Sequence, residues 1–131
     1  MNHSILLVDN DLDALEAMRR ILQPQGYAVS VATDGKEAIE FLSRKPVDLV
    51  ITDIVMREVD GFEVIMALRN NLASTRIIAI SGDHSLQPDS YLTLAKGFGA
   101  DEVLPKPVTR DRLMGAIHAT EDRPWIPASG L

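Results

Sequence analysis

The feature that most constrains the fold is an alternation between short, continuous apolar runs and segments with helical spacing. Five strand candidates recur, at residues 5–8, 27–32, 48–52, 77–80 and 103–104, of which the second is rich in Val and the third carries Leu49, Val50 and Ile51. Continuous rather than alternating apolar runs are typical of strands that are buried on both faces of a sheet. The sequence therefore predicts five short parallel strands.

The segments between these runs carry apolar residues at the three- and four-residue spacing of helices, such as Leu15, Met18 and Leu22. Asp11, Asp34 and Thr109 are predicted helix N-caps, a third helix is expected after Gly61, and a fourth over residues 88–96, ending at Gly97. Parallel strands need crossover connections, which place helices on both faces of the sheet. We therefore predict an α/β fold with a doubly wound, five-stranded parallel sheet and five helices.

Composition narrows the functional classes. The chain has 131 residues, no cysteine and a formal net charge of −6, with no basic run. Disulfides, thiolate metal sites and cysteine nucleophiles are excluded, and neither a nucleic-acid partner nor a membrane span is expected. The N-terminus has no signal-peptide pattern, so we expect a cytoplasmic protein. We predict one domain over residues 1–118 and a C-terminal tail or linker stump over 119–131, where Pro and Gly replace the periodicity.

Polar residues of particular chemistry follow four of the predicted strands. Asp9, Asn10 and Asp11 follow the first strand, Asp53 the third, Ser81 the fourth and Lys106 the fifth. Each residue alone has an ordinary explanation as a helix cap, a loop hydroxyl or a solvated charge. In doubly wound folds, however, functional groups gather beyond the carboxyl ends of the strands. We therefore expect these side chains to meet at one edge of the sheet.

Five blocks of sequence carry a resemblance to a known family. They read LLVDND at 6–11, DLVITDIVM at 48–56, DG at 60–61, ISG at 80–82 and GADEVLPKP at 99–107. In this order and spacing they resemble the signature blocks of response-regulator receiver domains, over about residues 4–117. The resemblance implies a (βα)5 flavodoxin-like fold and a two-component signalling switch that takes a phosphoryl group on an aspartate.

The family's roles carry over residue by residue. Asp53 matches the phosphoacceptor, Lys106 the lysine that pairs with it, and Ser81 the switch hydroxyl. The resemblance implies Mg²⁺ as cofactor, with Asp9, Asn10, Asp53 and the backbone carbonyl of Val55 as its ligands. It also implies a cis peptide bond between Lys106 and Pro107.

The resemblance further implies a sensor histidine kinase or phosphotransfer protein as donor, and a downstream protein or output domain as target. By analogy, the partner surface is the predicted fourth helix, the fifth strand and the last helix, which would also support a phosphorylation-dependent dimer. We expect a self-phosphorylating switch with at most slow autodephosphorylation, and no enzyme activity on external substrates.

The chain departs from the family pattern at several positions. Asn10 stands where a second acid is usual, which predicts weaker metal binding than in an all-acid site. Arg57 replaces a proline, Val103 an aromatic residue that rotates on activation, and Val108 a further aromatic residue, the last read as a packing variation. His84, in the loop after the fourth strand, is a candidate for tuning hydrolysis, although an exposed loop histidine is the simpler interpretation.

Two other functional classes compete with the phosphorylation switch. Asn10 and Val103 are compatible with a pseudo-receiver, a protein-binding module that works without phosphorylation. A metal-dependent phosphatase would need an acid two residues after Asp53, where the chain has Val55. A dinucleotide-binding protein is excluded because no glycine-rich loop follows the first strand. A stand-alone protein and a domain excised from a longer regulator both remain open.

Overall fold

The computed structural model describes residues 3–54, 61–71, 75–82, 96–97 and 99–121. Its strands are β1 (Ser4–Val8), β2 (Ala28–Ala32), β3 (Leu49–Asp53), β4 (Arg76–Ser81) and β5 (Glu102–Pro105). Its helices are α1 (Leu12–Leu22), α2 (Gly35–Arg44), α3 (Gly61–Asn71) and α4 (Arg110–Glu121), and a short 3₁₀ turn covers Gln23–Gln25.

The five strands form one parallel sheet in the order β2-β1-β3-β4-β5. All five residues of the central strand β3 are buried, as its continuous apolar run predicts. The predicted strands are confirmed, each with bounds within one or two residues of the sequence pattern. The doubly wound sheet is confirmed as well.

Alternate residues of each strand pack into different layers. Leu6 and Val8 join a cluster with α2 and α3, whereas Ile5 and Leu7 join a second cluster with α1 and α4. This alternation follows from the two-residue period of a strand. Helices therefore cover both faces of the sheet, and the connecting loops lie at the two ends of the strands.

Side chains cap the helices where the sequence predicts. Asp11 accepts hydrogen bonds from the backbone N–H groups of Asp13 and Ala14, and Asp34 accepts one from Glu37. Thr109 Oγ1 accepts a hydrogen bond from the N–H of Arg112 at 3.3 Å, at the start of α4. These caps fix the entry of each helix from the preceding strand.

The fourth predicted helix falls mainly outside the described residues. Lys96 and Gly97 are helical, and residue 98, which would show whether the helix ends at Gly97, lies outside the described residues. Gly99, two residues further on, has a positive φ of +122°, and its N–H donates to the carbonyl of Lys96. Four of the five predicted helices are described in full, and α4 corresponds to the fifth of them. Among the described residues, no helix combines the length and apolar character needed to cross a bilayer.

Candidate functional site

Four adjacent strands deliver polar side chains to one edge of the sheet. Asp9 follows β1, Asp53 ends β3, Ser81 ends β4 and Lys106 follows β5. The strands are neighbours in the order β1-β3-β4-β5 and all run in the same direction. Their carboxyl ends therefore lie side by side, and the expected convergence is present in the structure.

A single ammonium group joins the two acids. Lys106 Nζ lies 2.9 Å from Asp9 Oδ2 and 3.4 Å from Asp53 Oδ2. Asp9 is fully buried and Asp53 is 6% exposed. Burial disfavours the charged ammonium, but the contact with Asp9 and the negative charge of Asp53 outweigh it and raise the pKa of Lys106. Lys106 is therefore protonated at neutral pH.

Backbone contacts hold these residues in place. The N–H of Lys106 donates to the carbonyl of Ser81 at 2.8 Å, which extends the pairing of β5 with β4. The peptide bond between Lys106 and Pro107 is cis, as the resemblance implies. The N–H of Asp11, the N-cap residue of α1, donates to Asp9 Oδ1 at 2.9 Å and so helps to orient that carboxylate.

Ser81 is a buried hydroxyl in need of a partner. It is 1% exposed, and within the described part of the chain its Oγ makes no hydrogen bond. Such a group costs free energy unless a ligand satisfies it. Its position at the end of β4, one strand from Asp53, is compatible with donation to a group bound at Asp53.

The acids can be tested as a magnesium site. Asp9 Oδ2 is buried and accepts no hydrogen bond of good geometry from the described residues, despite its ion pair with Lys106. Mg²⁺ favours one or two carboxylates and completes its octahedron with waters and phosphate oxygens. Asp9 and Asp53 fit this requirement. Among the described residues, no group of three or more acid, histidine or cysteine side chains is arranged so that it could hold a metal ion.

Some of the remaining predicted residues are described by the structure, and others lie outside the described ranges. Asn10 is exposed beside Asp9, and Val103 and Val108 pack against opposite faces of the core. Val108 thus behaves as a packing residue. Several predictions concern residues outside the described ranges, namely Val55, Arg57, His84 and the tail from 122 onward.

One residue of the site carried no predicted role. Gly82, directly after Ser81, lies against the aliphatic stem of Lys106. Within the motif at 80–82, a glycine at a strand end was the sole sign of a close approach.

The fold and the site together define a class: doubly wound α/β proteins with two acids, a lysine and a hydroxyl at the carboxyl edge of the sheet. The chain belongs to the response-regulator receiver-domain family, whose model matches residues 5–118. It is a receiver domain of the two-component type, as the resemblance indicated. Receiver domains are switch-like, generally bind Mg²⁺ at the phosphorylation site, and interact with histidine kinases and output domains.

Named relatives agree with this assignment. The response regulator MprA of Mycobacterium leprae is 36% identical over 115 residues, which cover 88% of this chain and 49% of that protein. MprA of Mycobacterium ulcerans is 34% identical over 119 residues, covering 91% and 50%. The chain thus spans about half the length of the curated relatives it matches.

Solved structures match over nearly the whole chain. Chemotaxis protein CheY4 of Vibrio cholerae superposes with a TM-score of 0.81 at 26% identity, covering 92% of this chain and 99% of that one. A CheY-like receiver domain from Methanospirillum hungatei gives 0.81 at 26% identity, covering 93% and 95%.

Proposed function

We propose that Asp53 accepts a phosphoryl group and that the chain passes the signal on by changing conformation. The observation that carries the proposal is the shared ion pair of Lys106 with Asp9 and Asp53 at the carboxyl edge of the sheet. A lysine held between two buried carboxylates supplies the positive charge that an incoming phosphoryl group needs.

In the phosphoryl transfer, one bond to phosphorus forms and one breaks. A carboxylate oxygen of Asp53 attacks phosphorus and forms a new P–O bond, which makes an acyl phosphate. The bond from phosphorus to the donor, a histidine nitrogen of the kinase or phosphotransfer protein, breaks and its electron pair leaves with the donor. Lys106 then pairs with the phosphoryl oxygens, and Ser81 donates its hydroxyl hydrogen to one of them.

The metal would be held by Asp9, Asn10, Asp53 and the backbone carbonyl of Val55. When bound, Mg²⁺ supplies neutralising charge to the phosphoryl oxygens. Asp9 and Asp53 provide the carboxylates, both already oriented by Lys106 and by backbone contacts. Asn10 adds an oxygen without charge, so binding is weaker than with three acids.

The switch would act through Ser81. Satisfying its buried hydroxyl at a phosphoryl oxygen draws the end of β4 and the following loop toward Asp53. Val103 cannot take part in an aromatic rotation, so the signal leaves through the loop. The protein then works as a switch on itself, with slow autodephosphorylation at most, and acts on no external substrate.

The partners we propose follow from the family. A sensor histidine kinase or phosphotransfer protein donates, and a downstream protein or output domain receives the signal. Since the curated relatives are about twice as long, an output domain beyond the receiver unit of residues 1–118 is one form of this proposal. We place the protein in the cytoplasm and propose a dimer through the predicted fourth helix, β5 and α4 on phosphorylation.

The decisive experiment is incubation with acetyl phosphate and Mg²⁺, followed by intact-mass measurement. We expect one added phosphoryl group, which is lost in Asp53→Asn. Asp48→Asn is the matched control, because Asp48 precedes the same strand at its opposite end and bonds Ser4 instead. A wild-type protein that gains no mass would favour the pseudo-receiver, and a gain that persists in Asp53→Asn would place the acceptor elsewhere.

A further inference from the structure

Gly82 has no room for a side chain while Lys106 keeps its position. A Cβ added at Gly82 would lie 2.6 Å from Cδ of Lys106, 3.2 Å from its Cγ and 3.3 Å from its Cβ. Carbon atoms in favourable contact are about 3.5–4.0 Å apart. The closest approach is therefore a collision rather than a tight contact.

Lys106 cannot relieve such a collision without loss, because it is fixed at both ends. Its backbone N–H donates to the carbonyl of Ser81 at 2.8 Å, next to Gly82 itself. Its Nζ lies 2.9 Å from Asp9 and 3.4 Å from Asp53. The Cδ atom lies between these two anchors, so moving it aside rotates the side chain and withdraws the ammonium from the carboxylates.

We propose that Gly82 is a positioning residue, whose missing side chain lets the stem of Lys106 cross the end of β4 and places its ammonium between Asp9 and Asp53. The inference rests on the proposed function, in which that ammonium neutralises charge during phosphoryl transfer. It also connects the switch hydroxyl with the lysine. Ser81 carries the hydroxyl and Gly82, the next residue, lies against the stem of Lys106, so displacement of the end of β4 moves both groups.

The first test is Gly82→Ala, with phosphorylation by acetyl phosphate measured at saturating Mg²⁺. We expect the rate constant to fall about tenfold, the usual effect of losing one charge-assisted contact in a transition state. Gly115→Ala is the matched control, since a Cβ at Gly115 in α4 meets nothing within 4 Å. Its rate is expected to equal that of the wild-type protein. An unchanged rate in Gly82→Ala would show that the side chain of Lys106 can move aside without slowing phosphorylation, and would overturn the proposal.

A double-mutant cycle separates positioning from a general structural effect. Lys106→Ala removes the stem that collides, so adding Gly82→Ala to it is expected to change the rate less than about twofold. If Gly82→Ala lowers the rate equally in both backgrounds, Gly82 does not act through Lys106. Should Gly82→Ala fail to fold, the double variant is expected to regain the stability of Lys106→Ala. Failure of the double variant as well would rule out the collision as the cause.

A second readout needs no phosphorylation. Reductive methylation with ¹³C-formaldehyde labels amines, and the ammonium of Lys106, paired with two acids, is expected to react more slowly than exposed Lys36 and Lys45. In Gly82→Ala its labelling is expected to speed up several-fold, while Lys36 and Lys45 do not change. Equal labelling in both proteins contradicts the inference, whereas absent phosphorylation of the wild-type protein contradicts only the proposed function.

Discussion

Asp9 and Asp53 are two buried carboxylates, and both lie within ion-pair distance of the ammonium of Lys106. Burying two carboxylates close together is costly unless positive charge lies nearby. A divalent cation bound here would add such charge. In the proposed function, the residue at position 10, beside Asp9, would therefore influence the affinity for Mg²⁺.

Asn10→Asp is expected to strengthen Mg²⁺ binding about tenfold, because a carboxylate adds charge where the amide adds only an oxygen. Isothermal titration of the metal into the two proteins measures the difference. For the wild-type chain we expect a dissociation constant above the micromolar range.

Asp11→Asn is the control for this comparison. It also changes one charge near the site, but Asp11 caps α1 through its side chain, and asparagine caps equally well. Its affinity for Mg²⁺ is expected to stay near the wild-type value. Equal affinities for the wild-type protein and Asn10→Asp would mean that position 10 does not reach the metal.

Tyr27 supplies a pH prediction at the opposite end of the sheet. Burial of the phenol, and then the negative charge of Glu121, raise the pKa of Tyr27 above its usual value near 10. The folded protein therefore holds this proton at a pH where the unfolded chain has lost it. Stability is expected to fall as pH rises from about 10 through the folded-state pKa.

Absorbance at 295 nm in Tyr91→Phe, which leaves Tyr27 as the single tyrosine, measures its ionisation directly. Adding Glu121→Gln is expected to lower the midpoint only partly, because burial is the larger cause. A midpoint at the value of the unfolded chain would contradict the assignment.

Single residues differ in how well their place in the structure can be predicted from the sequence. Asp53 and Lys106 could be predicted because each lies at the end of an apolar run, and parallel strands bring such ends together. Gly82 and the pair of Tyr27 with Glu121 could not. Their roles depend on which side chain arrives opposite, and that is decided by the packing of elements distant in sequence.

At the scale of elements, Arg69 of α3 forms contacts at the amino-terminal ends of the strands, opposite the site of Asp9 and Asp53. Its guanidinium donates to the carbonyls of Gly99 and Thr75 at 2.9 and 2.6 Å, and to Asp101 Oδ2 at 2.8 Å. Asp101 in turn accepts from the N–H of Ile77 at 2.8 Å. One side chain thus connects α3 with the segments that enter β4 and β5.

Arg69→Ala is expected to lower the free energy of unfolding by about 3 kcal/mol, since it removes the ion pair with the largely buried carboxylate of Asp101 together with two hydrogen bonds to carbonyls. Urea unfolding measures the change. Arg19→Ala is the matched control, because Arg19 pairs with Glu16 on the exposed face of α1 and little loss is expected. Similar losses in the two variants would contradict a special role for Arg69.

The positions of helices and strands were predictable because the spacing of apolar residues and the capping residues determine structure over a few neighbouring residues. Asp11, Asp34 and Thr109 cap helices in the structure as the sequence indicates. The end of the fourth helix at Gly97 stays a prediction, because residue 98 lies outside the described residues. Glycine alone does not decide between a helix interior and a helix end, and nearby Gly99 has the positive φ.

At the scale of the whole molecule, stability is concentrated in the centre of the sheet. Ile51 of β3 is fully buried between β1 and β4 and packs with α1 and α4, whereas Val31 of the edge strand β2 is 44% exposed. Ile51→Ala is expected to cost about 3–4 kcal/mol, and Val31→Ala less than about 1 kcal/mol. Chemical denaturation of both variants provides the comparison, and equal losses would contradict the layered core.

The topology could be predicted further than the switching behaviour. Five strands with helices between them allow few right-handed arrangements, so the doubly wound sheet follows from pattern alone. The response that we propose for Ser81 to a phosphoryl group depends on a second conformation of comparable energy. Apolar periodicity reports burial in one state and carries no information about the difference between two.

The central strand has a further consequence. Asp53 is the last residue of β3, paired in register with Ile80 of β4, and neighbouring residues of a strand point to opposite faces. A slip of one residue would point the carboxylate of Asp53 into the packed layer on the other face of the sheet and bring Thr52 or Ile54 to its place. If Asp53 accepts phosphate as we propose, phosphate uptake would also report correct strand alignment in refolding mixtures, where spectroscopy detects only secondary structure.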